Sequence, residues 1–169
     1  MASSIRDIYI TGLINAHALE KQAMQLLSRQ VERLENYPQM EQRMREHINE
    51  SQRQAARLEE ILKACGTSPS TLKDVGLSIM GNLAAMMHVP TQDEVIKNTF
   101  ANYAFEHYEI ASYRSLLVMA QEVGDAAASQ ALRESLSEEE RMAQWIAEHL
   151  NEVTRTYMRL ESSGQKAGV

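Results

Sequence analysis

The stretch Phe105-Glu106-His107-Tyr108-Glu109-Ile110-Ala111-Ser112-Tyr113 decides the fold. Steps of three and four residues through it give Ile96, Thr99, Tyr103, Glu106, Ile110, Tyr113, Leu117 and Ala120, the inward stripe of a helix in a bundle. Glu106 stands in the middle of that stripe, and Glu109 lies one turn on, at its flank. A carboxylate in such a place is costly unless a partner neutralises it, so the rest of the chain must supply one.

The composition fits a helical frame. In 169 residues there are 7 glycines, 3 prolines and 5% aromatics, one all-α domain with a full core. The net charge of −6, without a basic patch, argues against a nucleic-acid partner. Cys65 is the single cysteine, so no intrachain disulfide is expected. Neither a signal peptide nor an apolar run of about 18–20 residues is evident. The expectation is a cytoplasmic protein with no membrane partner.

Upstream, a first helix is expected from about Ser4 to Glu35, with the seam Leu13, His17, Glu20, Met24, Leu27, Val31 and Leu34. Asn36-Tyr37-Pro38 ends it. A second helix follows from Pro38 to Cys65, capped by Gly66, with a seam of Met40, Met44, His47, Ser51, Gln54, Leu58 and Ile61 or Leu62. Its middle is polar, and Glu50 flanks it. The short connection makes these helices antiparallel neighbours.

Residues 67–90 form a long crossover with a short fifth helix expected within Thr71 to Met87, whose apolar residues would pack on the bundle or a second subunit. Thr91-Gln92-Asp93-Glu94 is a capping box opening the third helix, which runs to about Val123. After Gly124-Asp125, the fourth helix runs from Ala126 to about Leu160, with Leu132, Leu136, Glu139, Ala143, Ile146, Leu150 and Val153 on its seam. The domain is expected to span residues 1–161, followed by a disordered tail over 162–169.

Every long helix therefore carries a carboxylate near mid-length on or beside its buried face: Glu20, Glu50, Glu106 with Glu109, and Glu139. One such glutamate is commonly just a partly exposed residue; one on each of four helices is a pattern. The 30-residue spacing recurs, from Glu20 to Glu50 and from Glu109 to Glu139, as an internal duplication would produce. Carboxylates gathered at one level repel and lose hydration. Two divalent cations bridged by glutamates would relieve both, with His47 as a nitrogen ligand, a donor set that suits iron or manganese.

These residues carry a resemblance. Ala18-Leu19-Glu20-Lys21-Gln22, His47-Ile48-Asn49-Glu50-Ser51 with Gln54 and Arg57-Leu58-Glu59, Glu106 to Tyr113, and Leu136-Ser137-Glu138-Glu139 are similar to segments of the ferritin-like superfamily. Within it, the chain most resembles the YciE/YciF-type bacterial stress-protein family. The resemblance spans about Ile5 to Leu150, and Glu106-x6-Tyr113 looks like an element of rubrerythrin-like proteins. It implies an up-down-down-up four-helix bundle, a di-iron or di-manganese centre, frequent dimerisation and a role in stress. Carried over by position, Glu20, His47, Glu50, Glu106, Glu109 and Glu139 are the expected ligands, and Tyr113 stands beside them as the expected catalytic residue. The sequence departs from the usual Glu-x-x-His element, having His47-x-x-Glu50 on the second helix and Met142 three residues after Glu139.

The function implied is oxidation of metal or reduction of O2 or peroxide, with an external electron donor because the chain has no Cys-x-x-Cys. A non-catalytic stress or structural protein that binds a partner, with a structural or vestigial metal site, is the alternative. Of the remaining polar residues, His17 is expected to support Glu20 or hydrogen-bond in the core. His107 is expected to face solvent or a neighbouring helix, and Glu138 and Glu140 are expected on the solvated sides of the fourth helix. Tyr103 is expected near the centre, and Trp145 in packing. His88 and His149 are assigned no role.

Overall fold

A computed structural model describes residues 3–67 and 93–167. Among these, four helices and no strand are found: α1 Ile5–Val31, α2 Pro38–Ala64, α3 Glu94–Glu122 and α4 Ala126–Ser162. The expected short helix of the crossover lies outside the described residues.

Local chemistry sets the ends. Ser4 Oγ accepts from Asp7 N at 3.1 Å while Asp7 Oδ2 accepts from Ser4 N at 3.0 Å, a reciprocal cap that starts α1. α1 stops at Val31, four residues short of the expected Glu35. Residues 32–37 turn instead, with Tyr37 N bonded to Leu34 O at 2.8 Å, so that Leu34 and Tyr37 both reach the core ahead of Pro38. Gly66 ends α2 at φ +79°, as expected of a C-terminal cap. α3 begins at Glu94 with Asp93 in the cap position and no side-chain capping bond; Thr91 and Gln92 of the expected capping box lie outside the described residues. Asp125 Oδ1 caps α4 through Ala128 N at 3.1 Å.

Cross-helix pairs fix the topology. Glu20 meets Tyr113 and Gln30 meets Asn102, so α1 and α3 are antiparallel. Arg57 meets Ser135 and Gln54 meets Glu139, so α2 and α4 are antiparallel. With His17–Glu59 joining α1 to α2 and Arg114–Glu140 joining α3 to α4 in the same sense, the order is up-down-down-up.

The core is in two apolar halves. Tyr9, Leu13, Leu58, Leu62, Leu116 and Leu132 fill one end, and Leu27, Val31, Met44, Val95, Met142 and Ile146 fill the other. Between those halves every helix buries polar side chains, Glu20, His47, Ser51, Gln54, Glu106, Glu109 and Glu139, beside a small apolar cluster of Leu19, Ala23 and Phe105.

Two expectations are corrected. The inward seam of α3 is Val95, Thr99, Asn102, Glu106, Glu109, Tyr113, Leu116 and Ala120. Tyr103 is 38% exposed, and Glu109 lies on the seam, not at its flank. Apolar weighting misplaces the stripe because half of this seam is polar. The tail, expected to be disordered from Ser162, is placed through Ala167: Asn36 Nδ2 donates to Lys166 O and Tyr37 Oη donates to Ala167 O, each within 2.8 Å, and Ala167 is buried.

Candidate metal centre

The polar layer is built one helix at a time. The seam position of α1 delivers Glu20, α2 delivers His47, Ser51 and Gln54, α3 delivers Glu106 and Glu109 one turn apart, and α4 delivers Glu139. His47, Glu106, Glu109 and Glu139 each offer a ligand atom, and these four atoms lie within 4.8 Å of one another. His47 Nε2 is 3.2 Å from Glu106 Oε2 and 3.6 Å from Glu139 Oε2, within ion-pair distance but outside hydrogen-bonding geometry.

Glu20 borders the group. Tyr113 Oη donates to its Oε1 at 2.5 Å, and its Oε2 has no partner. Gln54 Nε2 makes a short bond to Glu139 Oε1. Glu50 does not join the cluster, as the flanking position implies: its Oε2 accepts from Arg43 Nη1 and Nη2 at 3.0 Å each and from His47 Nδ1 at 2.9 Å. That arrangement holds the ring by one nitrogen and turns the other toward the carboxylates.

The electrostatics follow from burial. Desolvation pushes Glu20 up to about 8 even though the Tyr113 bond pulls it down. Glu109 is held well above the usual carboxylate range, first by burial and then by the charges of Glu20, Glu139 and Glu106. Glu139 is raised by burial and by Glu106, with His47 opposing. Burial works against charge on His47, yet Glu106, Glu50 and Glu139 outweigh it and hold the ring well above 6.5. Glu50 drops to about 2, because His47 and Arg43 overcome the cost of its partial burial. Without a cation the layer thus retains protons.

Buried polar atoms ordinarily find partners. Here Glu20 Oε2, His47 Nε2, Glu106 Oε2, both oxygens of Glu109 and Glu139 Oε2 have none. These are oxygen-rich donors with one imidazole nitrogen, aimed into one layer, and they fit hard or borderline divalent cations. Met142, in the place where an Glu-x-x-His element would put a second histidine, is buried in apolar packing.

Other expected residues are found elsewhere. His17 Nε2 donates to Glu59 Oε1 at 2.7 Å, not to Glu20. Tyr103 and His107 meet edge to face on the exposed side of α3. His149 stacks on Trp145 with centroids 4.0 Å apart. Glu138, expected in solvent, is buried and bonded by Arg57 Nη1 at 2.6 Å, a network that Arg57 extends to Glu134 and Ser135. Arg43 and Arg57 had no expected role; an arginine one turn before His47 and another three residues after Gln54 were the available signal. Among the described residues no helix is long and apolar enough to cross a membrane.

Comparison with known proteins places this geometry. The profile of a family described as "Domain of unknown function (DUF892)" matches residues 4–159. Protein YciF of Escherichia coli is 29% identical over 147 residues, covering 80% of this chain and 84% of that protein. A crystal structure of a protein from Xanthomonas campestris pv. campestris is similar at 30% identity and a TM-score of 0.79, covering 94% of this chain and 99% of that one. Bacterioferritin from Desulfovibrio desulfuricans, solved with its diiron site in different catalytic states, shares the fold at 20% identity and a TM-score of 0.71, over 91% of this chain and 86% of that one.

Proposed function

The chain belongs to the family described as a domain of unknown function, DUF892, and from that premise we propose that it is a ferritin-like di-metal carboxylate protein of the cytoplasm. Its role is in stress, through oxidation of metal or reduction of O2 or peroxide at the bundle centre. The observation that carries this is the set of partnerless ligand atoms in one buried layer. The charge count supports two ions: Glu20, Glu106, Glu109 and Glu139 bring four negative charges when ionised, and two divalent cations bring four positive.

In this reading Glu106, Glu109 and Glu139 would hold iron or manganese, with Glu20 on the α1 side and His47 Nε2 as the nitrogen donor. Glu50, expected as a ligand, orients His47 instead, as carboxylates commonly do for metal-bound imidazoles. Two such ions, when bound, supply the redox change. Tyr113 keeps its proton at the Glu20 carboxylate, and burial raises its hydroxyl further above the ordinary tyrosine value, so it stays a donor. The two apolar halves of the core keep bulk water from the layer. Reduction of O2 or peroxide to water needs electrons from an external donor.

Met142 favours one second reading. With an apolar thioether where a nitrogen ligand would stand, a bound ion would serve to hold the helices together and not to turn over, in a non-catalytic protein that binds a partner.

Elemental analysis of protein purified without added metal separates these. One to two equivalents of iron or manganese per chain, lost in Glu106→Ala, with peroxide consumed in the presence of a reductant, is the expected result. Bound metal without consumption supports the second reading. No metal, and a melting temperature indifferent to Fe(II) or Mn(II), overturns both.

A further inference from the structure

The polar layer is closed in different ways on different sides. Between α1 and α3, Leu19, Ala23 and Phe105 are buried against one another. The hollow of about 300 Å³ on that side is lined by Leu19 and Leu116, both buried. A hydrated ion finds no partner on such an apolar path. Between α2 and α4 the closure is ionic. Arg57 Nη1 donates to Glu138 Oε2 at 2.6 Å, and Arg57 also holds Glu134. One turn back on α2 and one residue on along α4, Gln54 Nε2 donates to Glu139 Oε1. The ion pair and the buried amide bond are thus consecutive ties between the same two helices, and the inner one ends on a member of the four-residue cluster.

Exposure falls inward along α4. The side chains of Glu134, Glu138 and Glu139 are 56%, 6% and 0% exposed, a stair of carboxylates from water to the layer. At its foot Gln54 Oε1 and Glu139 Oε2 are buried without partners. A hollow of about 550 Å³ adjoins the stair, lined by Arg53, Arg57 and the small side chains of Ala56, Ala64, Ala127 and Ala131. It gives the Arg57 guanidinium somewhere to go while its stem stays on the alanines. Its withdrawal leaves two negative charges on Glu134 and Glu138, which one divalent cation balances.

We propose that Glu134 and Glu138 form a transit site for divalent cations, with Arg57 as the counter-ion that the cation displaces, so that the α2–α4 seam is the port of the polar layer. The inference rests on the reading of that layer as a metal centre and adds the way in. The step exchanges a guanidinium for a cation on the same carboxylates, and no covalent bond or electron moves.

The full-length chain is tested with Co(II) alone. Stopped-flow quenching of Trp145, the single tryptophan, gives the binding and release rates, and equilibrium dialysis gives the affinity. Arg57→Ala and Glu138→Gln break the same 2.6 Å pair but leave opposite charges at the port. Arg57→Ala is expected to speed binding and release about tenfold, and Glu138→Gln to slow both about tenfold, with much smaller changes in affinity. A merely structural role would move both variants in one direction. In a Cys65→Ala background, a bulky maleimide on Arg53→Cys, at the port, should slow binding relative to the unlabelled variant. The same label on Ala111→Cys, beside the α1–α3 hollow, should not. The label pair decides the matter if Glu138→Gln fails to fold. Rates that shift in the same direction or not at all, or labels with equal effects, overturn the port while metal binding stands. A native chain that binds no Co(II) overturns the metal centre itself, and the port with it.

Discussion

The hydroxyl of Tyr113 donates to Oε1 of Glu20 at 2.5 Å, across 93 positions of sequence and between two helices of opposite direction. It is the one hydrogen bond that the described structure gives this glutamate, whose other oxygen has no partner. Tyr113→Phe should therefore destabilise the metal-free protein by about 1–3 kcal/mol, the cost of stranding a buried polar group. It should also raise the protonation midpoint of Glu20 above its value of about 8, since the tyrosine bond is the largest of the effects that oppose burial, ahead of the charge on His47. Urea denaturation checks the first effect, and pH-difference infrared spectroscopy of the carboxyl band checks the second. An unchanged midpoint would show that the bond is not made.

Stability should fall with rising pH when metal is absent. Glu20 ionises near 4.5 when unfolded and about 8 when folded, and His47 is likewise raised above 6.5. A raised group contributes stability that is complete below its unfolded value and disappears as pH climbs through its folded value. The melting temperature of the metal-free chain is thus expected to decline from about pH 4.5 to about pH 8. Glu50 acts in the opposite sense, contributing above 4.5 and losing its contribution as pH drops toward about 2. Saturating Mn(II) should reverse the slope between pH 5 and 8, because the ions replace protons on the ligands. Scanning calorimetry with and without metal measures both slopes.

Glu50→Ala should weaken metal binding about 10–100-fold without abolishing it. Glu50 touches His47 Nδ1 at 2.9 Å but contributes no atom to the four-residue cluster. Competition against a chelator gives the affinity; complete loss of the metal would mean that Glu50 is itself a ligand.

Arg57→Ala should cost about 1–3 kcal/mol, a figure reduced from that of a fully buried pair because the arginine is partly hydrated. It leaves buried Glu138 without its 2.6 Å partner, with Arg53 only at 3.6 Å. Arg114→Ala, which breaks an exposed pair with Glu140, should change stability by less than about 1 kcal/mol. Equal effects of the two substitutions in thermal melts would contradict the difference in burial.

Most of the bundle was legible because three of its seams are apolar enough to show their period. Leu13 to Leu34, Met40 to Leu62 and Leu132 to Val153 all fall on buried faces, apart from partly buried Met24, Leu136 and Leu150. The third seam was misplaced because Asn102 and Glu109 are polar inside while Tyr103 is aromatic outside. Periodicity ranks residues by hydrophobicity and cannot see a face buried for its chemistry. For the same reason the buried polar layer was legible only through its carboxylates, and Glu50 was placed among them for its mid-length position beside the buried face of α2 and for the resemblance. The side chain of Glu50 is turned by Arg43, and a contact between two flanking residues leaves no mark in a seam. The tail was read as disordered from composition alone; Asn36 and Tyr37 hold it by its carbonyls, which any residue would offer.

A half-turn roll of α3 about its own axis would exchange Glu106 and Glu109 for Phe100, Tyr108 and Val118 in the bundle interior. The same roll would also carry Phe105, Ile110, Tyr113 and Leu116 out of the core, so oil-and-water preference by itself is divided between the two facings. His47 on one side, and any cation the carboxylates gather, add charge in favour of the facing that is seen, so the azimuth of this rod is in part an electrostatic decision. Starving the folding chain of metal would loosen that choice first, before any of the other three helices lost its bearing.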